Sequence, residues 1–473
     1  MKGLSWLKLA GLNRVLGLTA ERSSHQPEAL RQFLAKAVSG TFGFKILNVG
    51  LMYANSLLMV RLAGARGYGE YAYIIAWAQI LLIPAALGFE GLISRELAVY
   101  SDQRLWARAK GLLGFSNRLV LLNSVLIAAI AIVGFGLLGL ANSAQSWIAF
   151  AIGLAALPFL ALSRLRAASL QAIKHIVASQ LPEAIVRPGI LFICLGGLFS
   201  WQAWMGDSSP ALAEPWQNLA GGVVLSSPQL MGINWVATAI AFSVGGWLLS
   251  KSLDPALQSA SGQHSRRSWL KAAMPMLLIG SMYVINGQTD AIMLGSLKDA
   301  ETVGVYAVAN RGAGLISFVQ IAFATSLAPV FATLFAQNQL DKLRQTIKHS
   351  ARATFLLSLA VAVGLALLSR WFLLLFGAEF LVGQTALFVL MGGQLVNAFT
   401  GATAQLLIMT GYDRDTAVGV SISAGANVVL NAVLIPLYGL NGAAIATAMS
   451  TVLWNTILVG FTYRRFKVLS TAL

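Results

Sequence analysis

The chain has 473 residues, 57% of them hydrophobic and only 11% charged. A soluble domain carries about 25% charged residues, so a large water-facing surface is excluded and a bilayer is the environment this composition fits. The net charge of +16 does not indicate nucleic acid, because the basic residues fall in short breaks between apolar runs and form no stripe. One cysteine, Cys194, rules out an internal disulfide and a four-cysteine metal site, and the four histidines form no metal-ligand cluster.

Residues 1–36 are mixed and basic. Lys8, Asn13 and Arg14 interrupt any spanning core, which predicts a cytoplasmic, partly interfacial tail. In it Trp6, Leu7 and Leu12 would face lipid, and Lys8 and Arg14 the headgroups. Apolar stretches then recur near 37–60, 72–94, 118–140, 147–163, 183–200, 231–250, 271–294, 303–328, 353–376, 383–409, 417–437 and 441–461. Unsatisfied backbone groups are too costly in hydrocarbon, so each stretch is read as a helix. The fourth is the shortest and contains Pro158.

Charge placement supports that count of twelve. With the N-terminus in the cytoplasm and sides alternating, the cytoplasmic breaks hold Arg95, Arg104, Arg108 and Lys110, then Arg164, Arg166 and Lys174, then Lys251, Arg266, Arg267 and Lys271. Lys342, Arg344, Lys348, Arg352, Arg414, Arg464, Arg465 and Lys467 follow on the same side. The opposite side holds only Arg61, Arg66, Lys298 and Arg370. Both termini are therefore expected inside. The non-cytoplasmic loop at about 201–230 contains Asp207 and Glu214 but no Lys or Arg. Its Trp201, Trp204 and Trp216 suit an interfacial aromatic belt, with a substrate-facing flap as the alternative.

One pattern occurs twice. Residues 59–71 (MVRLAGARGYGEY) and 293–306 (MLGSLKDAETVGVY) each close one apolar run, open the next and end in Gly, one residue, then Tyr. Gly69 and Tyr71 correspond to Gly304 and Tyr306 at an offset of 235 residues. A weaker echo relates Gly232 and Asn234 to Gly439 and Asn441. Six helices per half give the repeats the same orientation, so they are parallel. The expected fold is an all-α polytopic membrane protein of twelve transmembrane helices in two parallel-repeat lobes. The N-lobe covers 37–250, a flexible cytoplasmic linker 251–270, the C-lobe 271–461 and a cytoplasmic tail 462–473.

Four stretches carry a family resemblance: MVRLAGARGYGEYAYI at 59–74, LGFEGLISRELA at 87–98, GVYAVANR at 304–311 and NVVLNAVLIPLYGLNGAAIATAMS at 427–450. In this order and spacing the chain resembles the polysaccharide flippases, of the O-antigen and exopolysaccharide type, within the multidrug/oligosaccharidyl-lipid/polysaccharide exporter superfamily. The resemblance implies a central cavity between two six-helix bundles. It also implies alternating-access transfer of an undecaprenyl-diphosphate-linked oligosaccharide from the inner to the outer leaflet of the bacterial cytoplasmic (inner) membrane. No catalytic residue and no cofactor is expected, and a proton or sodium gradient is the candidate for coupling. Expected partners are membrane lipids and, in polysaccharide assembly, a polymerase and a chain-length regulator, with no nucleic acid. Two rival readings stay open: a multidrug or other small-molecule exporter of the same superfamily, and a membrane polysaccharide polymerase or glycosyltransferase. The chain has no G-x-x-x-x-G-K-[ST] loop for direct use of a nucleotide.

Charges at helix depth are costly and therefore informative. Lys45, Arg187 and Arg311 are candidates to meet a lipid diphosphate in the cavity, with Arg suited to bidentate phosphate contact. Ion pairing or snorkelling is the alternative, and for Arg187 the partner would be Glu183 one turn away. Glu90 and Arg95 form a candidate ion pair or gate latch, with substrate contact as the alternative. Asp290 is a candidate for ion coupling, or a partner for a basic neighbour. Asn55, Asn286, Gln288, Gln320, Gln394 and Asn397 would line a polar path for sugars or hydrogen-bond between helices. No metal ligands are expected.

Overall fold

The computed structural model describes residues 28–137, 143–205, 225–263 and 265–472. The expected interfacial helix near Trp6 and Leu12, and Asp207, Glu214 and Trp216 of the long loop, lie outside the described residues. Among the described residues every regular element is helical. The elements are α1 (Glu28–Ala86), α2 (Phe89–Asp102), α3 (Trp106–Leu137), α4 (Ala144–Ala155), α5 (Leu157–Ala172), α6 (Ile176–Leu181), a π-turn (Pro182–Val186), α7 (Arg187–Met205), α8 (Ser227–Ser252) and α9 (Pro255–Ser259). They continue as α10 (Arg266–Leu297), α11 (Ala300–Ala336), α12 (Leu340–Leu367), α13 (Ser369–Phe376), a 3-10 turn (Ala378–Gly383), α14 (Gln384–Thr400), α15 (Thr403–Met409), α16 (Asp413–Tyr438) and α17 (Leu440–Phe466).

Ten of these stretches are long and apolar enough to cross a bilayer, and α10, bent by 43° between Arg266–Leu277 and Gly280–Leu297, makes an eleventh. The chain is thus a multi-pass membrane protein. One of the ten, Gly43–Ala86, has 44 residues. At 1.5 Å per residue it extends about 66 Å, twice the hydrocarbon thickness. It is broken at Gly64 (φ 69°, ψ 178°), a conformation that only glycine adopts freely. The segment before Gly64 touches α11 at Arg311 through Ser56, and Ala65, just after the break, approaches Gly304. The segment after it follows α10 backwards, with Tyr73 at Ser296 and Gly88 at Ala273. Gly64 therefore turns the chain back on itself.

The breaks between helices gather at two ends. At the basic end Lys174 pairs with Asp102 at 3.1 Å, the Gln263 amide donates to the Ala107 carbonyl at 2.9 Å, and Arg465 meets Asp415 at 3.0 Å. At the opposite end the Leu225 amide donates to Leu62, Arg61 to the Leu375 carbonyl, and Lys298 to the Pro436 carbonyl. The apolar packing is unequal between these ends. One core, with Tyr68, Phe150, Leu230, Val308, Leu387 and Ile435, joins both halves of the chain at the end opposite the basic residues. At the basic end the packing splits. Phe89, Leu112, Leu157, Leu165 and Trp269 form one core, and Phe331, Leu343, Leu407, Leu458 and Phe466 form another.

Several expected helices differ in their limits. The run 72–94 breaks at Leu87 and Gly88, both at positive φ. The helix expected at 118–140 begins at Trp106. The run 147–163 is two helices joined at Ala156, where Pro158 sits in the first turn of α5 and lacks an N–H that the helix would not use. The runs 353–376 and 383–409 break at Leu368 and Gly401. Hydropathy is blind to breaks inside an apolar run, which explains these differences. The stretch 251–270 is more ordered than a flexible linker: it contains α9, whose Leu257 is buried, and Lys110 donates to the Gln258 carbonyl at 2.6 Å.

Candidate functional site

The two copies of the repeated motif meet. A Cβ built on Gly69 would stand 1.7 Å from the Ala300 carbonyl oxygen and 2.8 Å from the Gly304 nitrogen. One built on Gly304 would stand 2.3 Å from the Ala65 carbonyl oxygen. Within lipid, helices gain nothing by hiding apolar surface from each other, so close backbone approach at small residues supplies the attraction. The glycines of the motif thus form the crossing of α1 and α11. The tyrosines two residues later turn away from it, each into a polar cluster of its own half.

Below the crossing, towards the basic end, lies Arg311 of α11. Its guanidinium donates to the Met52 carbonyl at 2.8 Å and to the Ser56 hydroxyl, and it lies 5.8 Å from the centre of the Tyr68 ring. Tyr53 donates its hydroxyl to the Arg311 carbonyl. Among the described residues Arg311 has no carboxylate partner, so its charge is met by neutral oxygens and a π face. Lys45 precedes Met52 by seven residues and Ser56 by eleven. Those spacings are two and three helical turns, which places all three on one stripe of α1. Lys45 is half-buried and forms no ion pair among the described residues. Lys45 thus lies on the stripe of α1 that Arg311 meets further along, and neither cation has an acid partner among the described residues.

Arg187 has partners of its own beside that seam. It donates to Glu183 at 3.3 Å and to the Asn234 side-chain oxygen at 3.1 Å, and its side chain is only 16% exposed. Tyr71 donates to the same Asn234 oxygen at 3.4 Å. Asn55 lies nearby in the chain's packing, donating to the Pro188 carbonyl at 2.8 Å.

Asp290 of α10 is buried among neutral donors. Tyr306 and Thr447 donate to Oδ2 at 2.6 and 2.5 Å, and Asn431 and Asn427 to Oδ1 at 2.7 and 3.3 Å. The four donors come from three helices, α11, α16 and α17. No Lys or Arg pairs with Asp290 among the described residues. The side-chain oxygens of Asn286, one turn before Asp290, and of Asn431 are buried without a hydrogen-bond partner.

Other candidates take separate places. Glu90 and Arg95 do not pair with each other. Glu90 meets Arg164 at 3.4 Å, and Arg164 also donates to Gln79, whereas Arg95 meets the adjacent Glu96 at 3.0 Å. One helical turn separates residues four apart, but Glu90 and Arg95 are five apart, which points their side chains to different faces. Ser317 donates to Gln394 and Asn397 to Gln320, both at 2.7 Å, tying α11 to α14. Gln288 is half-buried and without such a bond among the described residues. The Gly232/Asn234 echo is not structurally matched: Gly232 and Asn234 lie within α8, while Gly439 (φ 56°) separates α16 from α17. Tyr53, Tyr306, Asn427, Asn431 and Thr447 were not singled out as site residues. The Asn pair four apart in an otherwise apolar run was the available signal for two of them.

The fold has known counterparts. The family model described as MatE matches residues 275–433, less than half of the chain. The probable low-salt glycan biosynthesis flippase Agl15 of Haloferax volcanii is 26% identical over 248 residues, 51% of each protein. The chain thus spans about half or less of the length of the curated relatives it matches. An inward-facing multidrug resistance MATE family transporter of the MOP superfamily aligns with a TM-score of 0.68 at 16% identity, covering 89% of this chain and 94% of that one. The lipid II flippase MurJ in an inward closed conformation aligns at 0.64 and 15% identity, covering 89% and 86%. The chain thus shares the fold of these two membrane transport proteins.

Proposed function

We propose that this chain is a flippase for an anionic lipid-linked oligosaccharide, a polyprenyl diphosphate such as the undecaprenyl carrier, in the cytoplasmic membrane. The observation that carries the reading is the α1–α11 seam, where Lys45 and Arg311 lie at helix depth with no neutralising acid among the described residues. Two such cations suit a diphosphate and would repel a cationic drug. The likeness to a named glycan flippase supports the same substrate class.

In this reading α1 is two spans joined at Gly64, which brings the count to twelve, six in each half. The basic end is cytoplasmic by the positive-inside rule. The lobes, 37–250 and 271–461, close outside on the shared core; inside, the packing divides into two cores, the first of which also takes in Ala273 at the start of the second lobe. A headgroup entering from the cytoplasmic leaflet would reach Lys45 first and Arg311 about two to three turns deeper, while the polyprenyl chain stays in lipid between the lobes. Rocking of the lobes would then open the Gly69–Gly304 crossing. Arg187, already held by Glu183 and Asn234, is not part of this path.

Asp290 is the candidate for coupling to a cation gradient. Its hydroxyl and amide neighbours can rotate to present oxygen in place of hydrogen, and two buried amide oxygens are already free. Such an all-oxygen set suits a sodium ion, and a proton would use the carboxylate alone.

The test is leaflet translocation of a fluorescent polyprenyl-diphosphate disaccharide in proteoliposomes. Charge-assisted contacts contribute about 1.5–3 kcal/mol each, so Lys45→Gln with Arg311→Gln should slow translocation by at least about tenfold while membrane insertion is unchanged. Normal translocation in that double variant would overturn the assignment. Export of cationic dyes without flipping of the lipid would favour the multidrug reading.

A further inference from the structure

We infer that Arg187 is a tethered counter-ion: its guanidinium fills, in the first half of the chain, the position that an exchangeable cation takes beside Asp290 in the second. The contrast rests on the assignment of Asp290 to cation coupling, but the arrangement around Arg187 stands on its own.

The repeat offset of 235 residues superposes Tyr71 on Tyr306 and Asn55 on Asp290. Each tyrosine donates into the cluster of its own half, Tyr306 to Asp290 and Tyr71 to Asn234. Around Asp290 there is one acid and, among the described residues, no base, so nothing there balances the carboxylate whenever it is ionised. Around Asn55 the acid of the repeat is an amide. The carboxylate there belongs to Glu183, in the π-turn just before Pro188, whose carbonyl Asn55 holds. Arg187 pairs with that carboxylate at 3.3 Å and donates to the Asn234 oxygen that Tyr71 also reaches. The first-half cluster is thus neutral as built.

A second observation bears on the same place. Glu183 Oε1 and Asn55 Oδ1 are both buried without a hydrogen-bond partner. Acceptor oxygens left over around a paired guanidinium form a cation-binding environment whose cation cannot leave. A buried pair broken on one side leaves an uncompensated charge, and here that charge is a carboxylate beside two free oxygens. Deleting the Arg187 charge should therefore turn a closed cluster into an open cation site.

The experiment uses the purified full chain with Asp290→Asn, which removes the second-half carboxylate. Thermal midpoints are compared in sodium chloride and in N-methyl-D-glucamine chloride at equal ionic strength. Asp290→Asn alone should show no sodium-specific shift. Asp290→Asn with Arg187→Gln should gain a saturable sodium-dependent rise, which Glu183→Gln then abolishes. A folded Arg187→Gln variant with no such rise would overturn the inference. The paired variant Glu183→Met with Arg187→Met, in the otherwise native chain, decides the case independently, including if Arg187→Gln fails to fold. Loss of both charges together should leave lipid translocation near its native rate. A fall of about tenfold or more, the size of a lost charge-assisted substrate contact, would make Arg187 a substrate ligand and refute the tethered role. Native translocation that ignores both sodium and pH gradients would remove the Asp290 assignment, and the sodium response of the Arg187→Gln variant would still stand.

Discussion

Replacing Gly69 with alanine should push the outer ends of α1 and α11 apart and favour the outward-open state. The added Cβ would lie 1.7 Å from the Ala300 carbonyl oxygen. Atoms not bonded to each other rest at about 3.5 Å, so the helices must separate by roughly 1.5–2 Å. The obstacle is backbone on both sides, which cannot rotate away. Overpacking of this kind costs about 1–3 kcal/mol, and each 1.4 kcal/mol is about tenfold in an equilibrium. If the outward-open state relieves the clash, the ratio of open to closed shifts by about ten- to a hundredfold. Double electron–electron resonance would read this between spin labels at Arg66→Cys and Glu301→Cys, with Cys194→Ser removing the native thiol. Both label sites are exposed, and the Arg66–Glu70 pair lost in the process is a surface contact of little weight. The native chain should give mainly a short distance, and Gly69→Ala a large longer population. Gly50→Ala is the control, since its Cβ meets open space. An unchanged distance distribution in folded Gly69→Ala protein would refute the claim that this crossing closes the outer side.

Gly304→Ala should act in the same direction but less, because its Cβ approaches Ala65 at 2.3 Å, and combining the two should fall short of additive since they share one contact. Gly64→Ala meets no atom, so its cost is the backbone term alone, about 1–3 kcal/mol, seen as lowered thermal stability with the spin-label distance unchanged. Asp290→Asn should leave the fold intact and abolish the response of translocation to imposed sodium or pH gradients; a retained response would count against coupling there. Asn431→Leu removes the 2.7 Å donor to Asp290 Oδ1 and leaves only the 3.3 Å contact from Asn427. It should cost about 1–3 kcal/mol in thermal unfolding, and an unchanged midpoint would show that the network bears no strain on losing it.

Composition and the spacing of apolar runs were enough to read a multi-pass helical membrane protein. A chain without enough polar residues to face water has to hide its backbone in helices within lipid. The offset of 235 residues was legible too, because the motif is written in contiguous residues. What that motif does was not. Only packing reveals that Gly69 and Gly304 touch, that Gly64 is the residue that turns the chain, and that α2, α5 and α15 begin at breaks inside apolar runs. The rare charges divide in the same way. Their presence at helix depth can be counted along the chain. Their surroundings depend on neighbours more than a hundred residues away: Ser56 for Arg311, Asn431 and Thr447 for Asp290. Hydropathy sums over a window and records how much of a segment is apolar. Side-chain chemistry depends on which groups lie within about 3 Å, and that distance is set by the folding of one helix against another.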